Sequence, residues 1–228
     1  MLRQSLAAWS CAALLVGASS GSAASGLAGQ GQFILGADRL IPLIAYSANS
    51  AGSGSSSSTE KIASISLFGN AGLIQTIYNI PRLGLDYAIT DSFTIGGDLF
   101  AFITLSSSLS SSSGSSDETK ITIIGVSPRA GYLVPLSTSA WFWPRVGFTF
   151  DLLTTSPPSS SGGNSSTLSQ FAAVVEPLFV FSPVQHVGIS LGPVVDIPVT
   201  GSTSSGSGPS TDISQFHIGL TAGLDVWF

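Results

Sequence analysis

Charge is the scarcest thing in this chain: Asp, Glu, Lys and Arg make up 8% of its 228 residues, against roughly 25% in a soluble globular domain. Seven basic residues against twelve acidic ones give a net charge of −5. That leaves no basic stripe for a nucleic-acid partner. Two histidines and one cysteine offer little material for a metal centre, and no cofactor-binding motif is present. The Gly/Ser tracts lack the lysine that a phosphate-binding loop needs. Mean hydropathy is +0.46, yet past the first thirty residues no apolar run reaches the roughly 18 residues of a spanning helix. Hydrophobicity without a spanning helix points to a closed barrel, because hydrocarbon tolerates no unpaired backbone. A soluble β-sandwich or lipocalin-like barrel is the competing reading.

The clearest positive signal is the stretch from Gln215 to Phe228. Phe216, Ile218, Leu220, Ala222, Leu224, Val226 and Phe228 fall on one face, and Gln215, His217, Gly219, Thr221, Gly223, Asp225 and Trp227 on the other. A period of two held this long specifies a β-strand. A tilted membrane-spanning strand needs about 9–11 residues. One wholly apolar face opposite a small or polar one fits lipid outside and a polar lumen inside.

At the other end, residues 1–24 read as a secretory signal: Arg3 for the positive region, Ala7–Gly17 for the apolar core, and Ser22-Ala23-Ala24 for cleavage. Cys11 lies within that core, so the mature chain is expected to hold no disulfide. Residues 25–228 then form one barrel domain. Four Ser/Gly-rich tracts, Ser47–Thr59, Ser106–Ser116, Ser156–Ser166 and Gly201–Ser210, read as long loops. Tight turns fall at Asp91-Ser92, Ser137-Thr138-Ser139 and Ser182 to Gln185. Long loops alternating with short turns is the layout of outer-membrane barrels, long loops outside. The predicted crossings are Gln30–Tyr46, Asn79–Thr90, Phe93–Leu105, Lys120–Leu136, Ala140–Thr154, Ser169–Phe181, His186–Val199 and Asp212–Phe228. Lys61 to Tyr78 is left over. It extends the first loop as a hairpin or supplies two short crossings, making ten strands instead of eight.

Continuing the alternation puts nearly all charge on inward positions: Arg82, Asp86, Asp98, Arg129, Arg145, Asp151, Glu176, Asp196 and Asp225. Three of these belong to a weak repeat P-R-x-G-Φ at Pro81, Pro128 and Pro144. A lipid-facing Arg or Lys at the midplane costs about 2–4 kcal/mol, which such sorting avoids. Arg39 is the exception and is expected near the outer interface. Eight strands enclose just enough room for their own side chains. The preferred reading of the charges is therefore a filling ion-pair network, and a selective pore or proton path is the alternative. Outward Tyr87, Phe93, Tyr132, Phe142, Phe179, Phe181 and Phe228 form an aromatic girdle at the short-turn end. Trp141, Trp143 and Trp227 turn inward at that same end and are placed to plug its mouth.

Catalytic material is thin. Gly188-Ile189-Ser190-Leu191-Gly192 matches the nucleophile elbow, but it lies inside an alternating strand with no helix after it. His186 and His217 fall near opposite ends of neighbouring strands, which excludes a shared metal or base role. His217 with Asp212 is the acid/base material expected near the outer mouth. No enzyme is expected.

The pattern and the terminal Phe228 resemble the small outer-membrane β-barrels of the OmpA and OmpX kind. More closely they resemble outer-membrane barrels with Ser/Gly-rich loops and I-P-R-L-x-L-D-Y-like strands, as at Ile80–Tyr87. The resemblance implies a Gram-negative outer-membrane address and contact with outer-membrane lipid. It also implies that the barrel assembly machinery reads Phe228 during biogenesis. It carries no enzymatic activity and no surface ligand. Its functional expectation is a role in envelope structure or surface interaction, with a narrow channel as the alternative.

Overall fold

The computed structural model describes residues 29–53, 56–65, 80–109, 116–158, 163–206 and 210–228. The expected signal segment lies outside them. Every regular element is a strand: β1 (Phe33–Ser53), β2 (Ser56–Ile65), β3 (Arg82–Ala88), β4 (Phe93–Leu109), β5 (Ser116–Tyr132), β6 (Val134–Ser137), β7 (Ala140–Ser156), β8 (Ser166–Val184), β9 (Val187–Ser205) and β10 (Thr211–Trp227). All pairings are antiparallel, β1 with β3 and β5 with β7 pair past an intervening short strand, and β10 returns to pair with β1. The ring so closed contains eight strands: β1, β3, β4, β5, β7, β8, β9 and β10.

The two remaining strands share lanes with ring members. β2 pairs with the outer part of β1, from Ile44↔Ile65 to Ser53↔Ser56, whereas β3 pairs with its inner part, from Phe33↔Tyr87 to Asp38↔Arg82. The leftover segment is thus a hairpin extension above β3 as far as Ile65. Residues 66–79, its remainder, lie outside the described part. β6 likewise continues the lane of β5 beside β7 after a break at Leu133.

Strands run further than expected into the Ser-rich tracts. β1 continues to Ser53 instead of ending at Tyr46, β4 to Leu109 and β9 to Ser205. The reason is that ladder bonds belong to the backbone. Once Ser106 lies opposite Thr119 and Ser169 opposite Ser202, serine side chains are no obstacle. At about 3.3 Å per residue, 17–21 residues far exceed what the bilayer needs, so the wall rises well beyond the membrane band.

Prolines are absorbed where the ladders are thinnest. The β5/β7 pairing skips from Val126↔Phe150 to Arg129↔Gly147, past Pro128, and the β8/β9 pairing skips from Val175↔Val195 to Phe179↔Leu191, past Pro177 and Pro193. Pro144 lies opposite Pro177, which confines the missing donors of two strands to one rung of the β7/β8 pairing.

Outward positions carry Leu83, Leu99, Val146, Phe148, Phe150 and Ile189, all exposed in the isolated chain. A water-soluble fold does not display such a continuous apolar band. The aromatic girdle lies at the short-turn end, where Phe33 approaches Tyr87 at 5.0 Å and Phe142 approaches Phe179 at 5.1 Å between ring centroids. Phe228 closes the ring there by exchanging two 3.0 Å backbone hydrogen bonds with Phe33.

Candidate functional site

The lumen is stacked in three layers. At the short-turn end Trp141, Trp143 and Trp227 pack with Ile34, Ala88, Leu133 and Val180 into an apolar plug. Trp143 is fully buried, and its indole donates to Thr94 Oγ1 at 3.2 Å. At mid-height lie the charges. Above them Phe100, Ile123 and Ile80 form a second apolar cluster, flanked by Phe102, Ile121, Leu153 and Leu168.

In the middle layer Arg129 is the hub. Its Nη1 lies 2.8 Å from Asp38, its Nε donates to Asp86 at 3.1 Å, and Nη1 also pairs with Asp98. Arg145 joins Asp38 at 2.9 Å to Glu176 at 2.7 Å. Arg39 forks onto Asp196, with Nη1 and Nη2 each at 2.9 Å from one oxygen, and reaches Glu176 at 3.0 Å. Such planar two-pronged pairing is what guanidinium offers and ammonium does not. Two arginines also tie this layer to the plugs. Arg145 stacks 4.8 Å over Trp143, and Arg82 stacks 4.6 Å over Phe100.

The glycines of the P-R-x-G-Φ repeat give the cluster its room. A Cβ at Gly84 would stand 2.6 Å from both Arg129 Nη2 and Asp38 Oδ2, and one at Gly131 would stand 2.4 Å from the Trp143 indole nitrogen. A Cβ at Gly147 would meet the Pro128 carbonyl at 2.3 Å.

All nine charged residues singled out in the sequence are buried. Six of them, Asp86, Asp98, Arg129, Arg145, Glu176 and Asp196, meet in the network described. Arg82, Asp151 and Asp225 are buried in the same lumen but form no direct ion pair among the described residues. Arg82 donates instead to Thr149 at 3.2 Å. Among the described residues, neither carboxylate oxygen of Asp151 or Asp225 has a hydrogen bond of good geometry.

Two members escaped the sequence reading. Arg39 is not at the outer interface: it is 2% exposed and lies in the network. Asp38, its neighbour, is equally buried and receives two arginines. Strict alternation cannot turn consecutive residues inward. β1 breaks the rule between Ala37 and Ile41, where it spends two more residues than β10, and Arg39 takes the left-handed φ of 52°. A bulge of this kind re-aims side chains at the expense of ladder bonds. The available signal was an adjacent acid–base pair within an otherwise apolar strand.

His217 also differs from expectation. It is fully buried, with Nδ1 3.1 Å from Asp196 Oδ2, whereas Asp212 is exposed near the long-loop end. Ser190 of the G-x-S-x-G match sits near the start of β9 and is buried, with the strand continuing past it and without the turn into a helix that an elbow requires.

No protein-family model matches the chain, and no curated protein sequence matches it. Among solved structures, the outer membrane protein OprG from Pseudomonas aeruginosa superposes with a TM-score of 0.50 at 11% identity, covering 86% of this chain and 96% of that one. Neisserial surface protein A gives 0.41 at 12% identity, covering 86% of this chain and 97% of its own. Ail of Yersinia pestis, solved with the heparin analogue sucrose octasulfate, gives 0.43 at 11% identity, covering 86% and 99%. The likeness to OprG speaks for the fold, which is an antiparallel up-and-down barrel of the outer-membrane kind.

Proposed function

We propose that this chain is an integral protein of a Gram-negative outer membrane whose barrel is sealed, and which serves envelope structure or surface contact without enzymatic activity. The observation that carries this reading is the layering of the lumen. Among the described residues, an ion-pair network lies between an apolar tryptophan cluster below and a second apolar cluster above, and both narrow the polar lumen. The Ser-rich upper wall, held in strands as far as Ser53, Leu109 and Ser205, is then the contact surface. Lipid is its standing partner, and Phe228 is the residue offered to the assembly machinery.

A second reading is a narrow channel. It draws on the seven buried acids that face only four buried arginines, with Asp151 and Asp225 outside the ion pairs. Such a channel would favour cations. Conductance of the refolded barrel across a planar bilayer separates the two. Silence at all voltages supports the sealed barrel, and cation-selective steps replace it with the channel.

A further inference from the structure

Two adjacent outward rows cross the lipid face along the hydrogen-bonding direction. The lower joins Leu99, Val126, Phe150, Phe171 and Thr200, and the upper joins Ala101, Ile124, Leu152, Ser169 and Ser202. The residues between them, including Gly125 and Gly201, face inward, so only backbone floors the gap. The result is a groove of about 770 Å³ on the outside of the barrel.

Because strands tilt in a closed barrel, this direction runs obliquely to the axis. The groove therefore climbs. It begins at Leu99, six residues above the short-turn start of β4 at Phe93, and ends at Thr200, five residues short of the long-loop end of β9 at Ser205. Its chemistry changes with height. The deep part, on β4, β5 and β7, is walled by aliphatic and aromatic side chains alone. The high part, on β8 and β9, presents three hydroxyls, and Ser169 Oγ lies 3.1 Å from Ser202 Oγ.

We propose that this groove is a lipid-binding site for one acyl chain of an outer-leaflet, ester-linked lipid. The chain lies along the Leu99–Phe150 wall, and the ester carbonyl accepts from the Ser169/Ser202 hydroxyl pair. The groove is apolar towards the short-turn end and carries hydroxyls towards the long-loop end, the same order in which an outer-leaflet lipid presents its tail and its ester. Lipid tails are as apolar as leucine, so the hydrophobic effect does not distinguish this site from the rest of the wall. Close packing and the carbonyl hydrogen bond do.

The test uses the full mature barrel refolded in phosphatidylcholine vesicles containing a trace of phosphatidylcholine with a photoactivatable diazirine on its acyl chain. Adducts are mapped by mass spectrometry after irradiation. Several-fold more adduct at Leu99, Val126 and Ile124 than at Ile44 and Ile218 on the opposite face is expected. Ala101→Trp, which fills the groove with an apolar side chain, removes that preference. Ser169→Ala with Ser202→Ala keeps the labelling on this face but spreads it along the strands, and this pair carries the test should Ala101→Trp fail to fold. Even labelling around the barrel, or a preference unchanged in the folded variants, overturns the site. The outcome is independent of conductance, so it does not stand or fall with the sealed-lumen reading.

Discussion

At mid-height the inward positions of this barrel carry four arginines and seven acids, whereas at either end of the lumen the same kind of position carries Trp, Leu, Ile and Phe. The backbone does not distinguish these places, since each is every second residue of a strand. What differs is the demand placed on neighbours. A buried tryptophan asks for shape and one hydrogen-bond partner. A buried guanidinium asks for several carboxylate oxygens at fixed angles, and each carboxylate in turn needs donors. The middle layer therefore depends on side chains from β1, β3, β4, β5, β7, β8 and β9 at once. The plugs depend mainly on volume.

The largest effect should come from the hub. Arg129→Ala strands Asp86 and Asp98 and leaves Asp38 with Arg145 alone, in a layer that already has more acid than base. Breaking a buried pair costs about 3–5 kcal/mol, so a sharp drop in the urea midpoint of the folded barrel in detergent is expected. Arg129→Lys should recover little, because an ammonium cannot reproduce the fork. A lysine variant as stable as the parent would show that the layer needs charge and not geometry, which would erase the contrast with the plugs.

Trp143→Ala tests the other side of the contrast. Truncating a buried Trp costs about 3–5 kcal/mol, and Trp143 is fully buried. If the ionic layer seals by itself, the variant loses stability and still gives no conductance. Steps in a planar bilayer would assign the seal to the tryptophan plug instead.

Both expectations rest on the register, and one adjacent pair probes it. Leu220 faces lipid and Thr221, 4% exposed, faces the lumen. Leu220→Arg should cost about 2–4 kcal/mol and block assembly, with loss of the heat-dependent gel shift as the readout. Thr221→Arg places the same group among an excess of carboxylates, so its penalty is limited to overpacking, about 1–3 kcal/mol. Equal damage from both would mean that the inside and outside of β10 have been confused.

How much of this was legible beforehand follows from the same contrast. Alternation alone placed Arg82, Asp86, Asp98, Arg129, Arg145 and Glu176 inside, because each lies on a strand that keeps its period. It also turned Trp141, Trp143 and Trp227 inward at the correct end. It failed at Asp38 and Arg39, where a bulge with a left-handed residue suspends the period and the adjacent acid–base pair was the one local sign of it. It failed again at the serine tracts. Composition there argues for a loop, but pairing is decided by the neighbouring strand, and Ser202 continues in β9 because Ser169 lies beside it. His217 was assigned to Asp212 by nearness in sequence. Its actual partner, Asp196, is reached across the β9/β10 ladder, where the two residues are directly opposite.

The finest probe of the comparison is a methyl group. Gly84 sits opposite Gly36 on β1 and Asp98 on β4, at the point where Arg129 crosses the lumen. A Cβ there would fall 2.6 Å from Arg129 Nη2, 2.6 Å from Asp38 Oδ2 and 2.8 Å from Asp98 Oδ1. These are three charged atoms already committed to one another, so none can retreat without lengthening an ion pair. Gly188 in the plug layer offers the counterpart: its Cβ would stand 2.8 Å from Val180 Cγ1 and 3.1 Å from Trp227 Cζ3. Apolar contacts of that kind relax by small rotations. Overpacking costs about 1–3 kcal/mol, and Gly84→Ala should lie at the top of that range with Gly188→Ala at the bottom, read from paired urea titrations. If the two alanines cost the same, the middle layer is as compliant as the plugs, and the ion pairs are space-fillers without geometric demand.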